Sequence, residues 1–239
     1  MFCGGCNKII ETIDWKVIDQ AFDGSLSTED LNVHISPFLG GIHGIYKLIL
    51  ELTWFARQDV SHSTRRNQTA FWSICLDVLE RQISSYKHKV PEEVADLYSS
   101  KYLVHIYALR VFLAKVADHQ IEATSLTIQK SIQEAQKLIQ TNSMYEFRNP
   151  ALAWPLVVFL CTTHGQPEFE FFRATIEDIG DNFDEGHKIR TNAVIGALLD
   201  GYVNGPPSAT IQSGFDMLLW KGGILHPFET SLNTPIVVE

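Results

Sequence analysis

Apolar positions recur along this chain at helical spacing, and no stretch longer than a few residues alternates as a strand would. Between Gly41 and Arg57, the residues Ile42, Ile45, Tyr46, Ile49, Leu52 and Phe55 follow i, i+3, i+4, i+7 closely. Thr64 to Tyr86 repeats the rhythm with Phe71, Ile74, Cys75, Val78, Leu79 and Ile83. Pro91-Glu92-Glu93 opens a third helix. Proline loses nothing in a first turn, and acids favour the positive end of the helix dipole. That helix is predicted to run to about His119, with Tyr102, His105, Ile106, Leu109, Leu113 and Val116 along its apolar face. Thr124 to Gln140 follows, turning Ile128, Ile132, Ala135, Leu138 and Ile139 inward. Pro167 to about Asp181, Gly186 to about Asp200 and the short piece Phe215 to Trp220 complete the series, and Ile9 to Phe22 carries a looser version of the same spacing.

One run departs from amphipathic patterning. Asn149 to Cys161 is nearly uncharged and apolar throughout, closed by Thr162, Thr163 and His164. A segment apolar on every side must be packed on every side, so it reads as a central helix. It is too short for a bilayer, which needs about 20 residues. Pro155 belongs in a first turn, which places the start near Trp154. The predicted fold class is all-α: a single helical domain whose amphipathic helices pack around a central Trp154-Pro155-Leu156 helix. The expected divisions are an N-terminal segment over 1–29, the helical domain over 30–228 and a tail over 229–239.

Composition adds limits. Hydrophobic content of 45% and charged content of 20% suit a globular chain of 239 residues with a sizeable core. The formal charge of −9 argues against the bulk of the chain gripping nucleic acid, which calls for a basic face. No secretion signal and no membrane span are read, so the four cysteines are expected as reduced thiols in nucleus or cytoplasm.

Three blocks, in order, resemble a known family. Ser36-Pro37-Phe38-Leu39-Gly40-Gly41 through Ile49 is similar to the leucine-glycine start of the fungal-specific transcription factor domain, acriflavine-resistance-regulator type. Leu97-Tyr98 through Ile106-Tyr107 resembles its tyrosine-rich middle helix, and Ala151-Leu152-Ala153-Trp154-Pro155-Leu156 its Trp-Pro-Leu helix. Phe171-Phe172-Arg173-Ala174, Arg190-Thr191-Asn192-Ala193 and Trp220 fit the closing part, so the resemblance spans roughly residues 30 to 226. It implies the C-terminal regulatory region of a zinc-cluster factor. Family members carry a Cys-x-x-Cys followed by a basic run and four more cysteines. Here Cys3 and Cys6 are followed by Asn7-Lys8-Ile9-Ile10-Glu11, so the DNA-reading cluster is expected to be lacking.

Candidate chemistry is sparse. His43, His105 and His164 lie in or beside helices expected to meet, and imidazole titrates near neutrality. With Trp154 they form the candidate ligand-binding set, against the plainer reading of hydrogen-bonded core or rim histidines. Cys161 lies one turn before His164, yet a cysteine in an apolar run is usually a small core filler. Trp54, Trp72, Trp154 and Trp220 either line an aromatic pocket or are plain core. No Gly-rich phosphate loop, Gly-x-Ser-x-Gly or His-Glu-x-x-His occurs. No metal, no cofactor and no catalytic residue is therefore assigned.

Two function classes stand. The resemblance implies a transcription regulator of a fungal secondary-metabolite pathway, working through a small hydrophobic ligand or a complete zinc-cluster factor, without direct DNA binding, with homodimerisation a further option. The alternative is a cofactor-independent cyclase or isomerase of such a pathway, in which an aromatic helical cavity shapes the substrate.

Overall fold

The structure, a computed structural model, describes residues 43–56, 58–86, 92–141, 152–163 and 165–180, with isolated positions 188, 192, 195–196, 215 and 218. The described residues form six helices and no strand, so the class is all-α. They are α1 (His43–Phe55), α2 (His62–Tyr86), α3 (Glu92–Ala117), α4 (Leu126–Thr141), α5 (Ala153–Thr162) and α6 (Gln166–Gly180). The expected segment 1–29, the tail 229–239 and the helix over Ile9 to Phe22 lie outside the described residues.

Local chemistry sets the boundaries. Ser61 caps α2: its Oγ accepts the Thr64 N–H at 3.2 Å, satisfying one of the donors that a helix start leaves unpaired. At the far end of α3 the chain stops at Ala117, because Asp118 Oδ1 accepts the Gln120 N–H at 2.9 Å and turns the backbone. The helix thus ends about two residues before the predicted His119. α5 begins as expected, with Pro155 in its first turn, and Leu152 at the N-cap gives no side-chain cap. The proline removes one donor that would otherwise need a partner there. At its other end, Thr162 Oγ1 donates to Val158 O at 2.9 Å and Thr163 Oγ1 to Leu160 O at 3.0 Å. Those hydroxyls sit on carbonyls that water does not reach.

The turn into α6 is closed by glutamate. Glu168 Oε2 accepts the Gly165 N–H at 2.8 Å, the backward half of a capping box. The same oxygen would stand 2.8 Å from a Cβ on residue 165, so this close approach suits glycine.

Packing then encloses α5. Eight of its ten residues, Pro155 to Thr162, are buried. Each large apolar side chain withdrawn from water in this way contributes about 1.5–3 kcal/mol. Phe159 stacks on Phe172 of α6, ring centres 5.3 Å apart, and Trp154 meets Phe112 of α3 edge-on at 6.3 Å. Among the described helices, however, the hub is α3. It packs against α1, α2, α4 and α5, whereas α5 packs chiefly against α3 and α6. Ile106, Leu109, Val111 and Val116 of α3 are wholly buried, because neighbours surround it. Length explains the exchange of roles: 26 residues offer faces to four helices, and 10 residues do not.

α2 is turned differently from its prediction. Trp72 and Leu76 are buried and Leu79 and Ile83 pack against the core, while Phe71 is 57% exposed, Ile74 62% and Val78 44%. Two apolar stripes compete on this helix. The contact between Trp72 and Phe55 of α1, ring centres 4.8 Å apart, goes with the first of them.

Candidate functional site

The expected ligand set is divided by the fold. His105 occupies the middle of α3, fully buried, with Nδ1 donating to the Lys101 carbonyl one turn earlier at 2.8 Å. A carbonyl only accepts, so the proton of this pair is on Nδ1 and the tautomer is fixed by the helix itself. Trp154 is half-buried at the start of α5 and packs on Phe112, seven residues beyond His105 and on the same face of α3. Two helical turns, about 10 Å of rise, separate those α3 positions. His43 opens α1, but its side chain lies outside the described residues, as does all of His164.

Among the described residues, aromatic pairs stand at several places in the fold. Trp72 pairs with Phe55 between α1 and α2, Trp154 with Phe112 between α3 and α5, and Phe171 and Phe172 with each other on α6, where Phe172 also meets Phe159. The Trp72–Phe55, Trp154–Phe112 and Phe159–Phe172 pairs each cement one helix interface. Trp220 lies outside the described residues.

Thiol chemistry is suppressed where it is described. Cys161 is buried in α5, and burial pushes its thiol up to about 12. The thiolate is the nucleophile, so this sulfur packs rather than reacts. Cys75 on α2 is also raised, first by burial and then by the carboxylate of Glu51. Among the described residues, no three histidine, cysteine or acidic side chains converge in a metal-binding group.

The polar residues that the fold brings together are others. Lys115, in the last turn of α3, is only 1% exposed. Its Nζ donates to His119 O at 2.8 Å and Ile121 O at 3.4 Å, and stands 4.6 Å from the centre of the Phe215 ring. A cation at a helix C-terminus meets the negative end of the dipole, and the ring face adds a second favourable surface. The sequence held a signal: Lys115 keeps step with buried Ala108, Val111 and Phe112, a core phase unusual for lysine. Nearer the surface, Arg110 of α3 donates to Asp77 at 2.7 Å and to Glu80, both on α2. These clips join the two helices.

Comparison with family models, curated proteins and solved structures gives no match. No helix among the described residues is long and apolar enough to cross a membrane.

Proposed function

We propose that this chain is a regulator of transcription working by contact. It binds a small hydrophobic ligand or a complete zinc-cluster factor, and so modulates a fungal secondary-metabolite pathway from the nucleus. The class and the pathway rest on the resemblance of the Ser36–Ile49, Leu97–Tyr107 and Ala151–Leu156 blocks to the fungal-specific transcription factor domain. The observation that favours contact over catalysis is the state of the chemically able groups within the described core. The Cys161 thiol is pushed to about 12, His105 is tied to a backbone carbonyl, and Lys115 is seated on two more. Groups held in this way stabilise helices; catalysis calls for such groups to be aimed at a substrate. The balance of −9 disfavours a direct grip on DNA and leaves protein or ligand contact as the route.

The test compares transcripts and metabolites in wild type and a strain lacking the gene. A regulator makes the transcripts of one pathway change together on deletion, and its product changes with them. Unchanged transcripts with accumulation of an uncyclised intermediate would establish the cyclase or isomerase instead.

A further inference from the structure

We draw no further inference here: the strongest candidate, the stripe of Phe71, Ile74 and Val78 on the outer face of α2, carries none, because nothing among the described residues shows what covers it.

Discussion

α2 and α5 bury their apolar residues by opposite means. α5 is short, uncharged and enclosed from Pro155 to Thr162. Such a sequence has one outcome, because any orientation that exposed one side would leave large side chains in water. α2 is long and polar, with two apolar stripes about 140° apart on the helical wheel. One of them, Trp72, Leu76, Leu79 and Ile83, faces the core; the other, Phe71, Ile74 and Val78, faces out. Periodicity therefore tells which residues share a face, and it tells direction only when a helix has a single apolar face.

Cys161 gives the largest expected contrast with the outside of the molecule. Its thiol stands at about 12 against an ordinary value near 9.0, so native alkylation should run about a thousand-fold slower than in the unfolded chain. Mass mapping of iodoacetamide adducts reads this, and comparable labelling in both states would mean α5 is not enclosed. Next, Phe159→Ala leaves a cavity against Phe172 and should cost about 3–5 kcal/mol in denaturant unfolding. Lys115→Met keeps the stem but takes the charged donor from the His119 and Ile121 carbonyls, at a cost of about 1–3 kcal/mol. A neutral or stabilising result would show that the lysine adds nothing beyond its packing.

On α2, Ile74→Ala should cost less than about 1 kcal/mol by the same measurement, since most of that side chain is already in water. A loss equal to that of Phe159→Ala would erase the distinction between the two helices. The smallest effect is a pH slope. Burial, with Arg65 and Lys115 alongside, holds the His119 imidazole below 6.5, and Asp118 offsets this only in part. As pH falls through 6.5 the unfolded chain takes up this proton before the folded one does. Stability from this residue is therefore complete above that pH, declines below it, and levels once the folded ring is also protonated. Unfolding midpoints of His119→Gln should show a flatter decline below pH 6.5 than the wild type; an unchanged slope would remove His119 from the account.

Of the candidate site, the sequence made only part legible. It marked His105 and Cys161 as plausible core, and both are buried. Lys115 escaped notice because its partners are the carbonyls of His119 and Ile121, four and six residues away across a turn whose path no spacing rule gives. The Arg110 pairing with Asp77 and Glu80 links positions about 30 residues apart and depends on how α2 and α3 lie together.

The amino-acid sequence by itself determined the helical class, the placing of Pro155 in the first turn of α5, and the enclosure of α5, since local hydrogen bonding and one-sided or all-round apolarity act within a few turns. Tertiary packing alone decided that α3 is the hub, that Trp72 rather than Phe71 turns inward, and that a lysine ends α3 beneath a phenylalanine ring. Those outcomes depend on which neighbouring surface fits best, and that is a property of several helices at once.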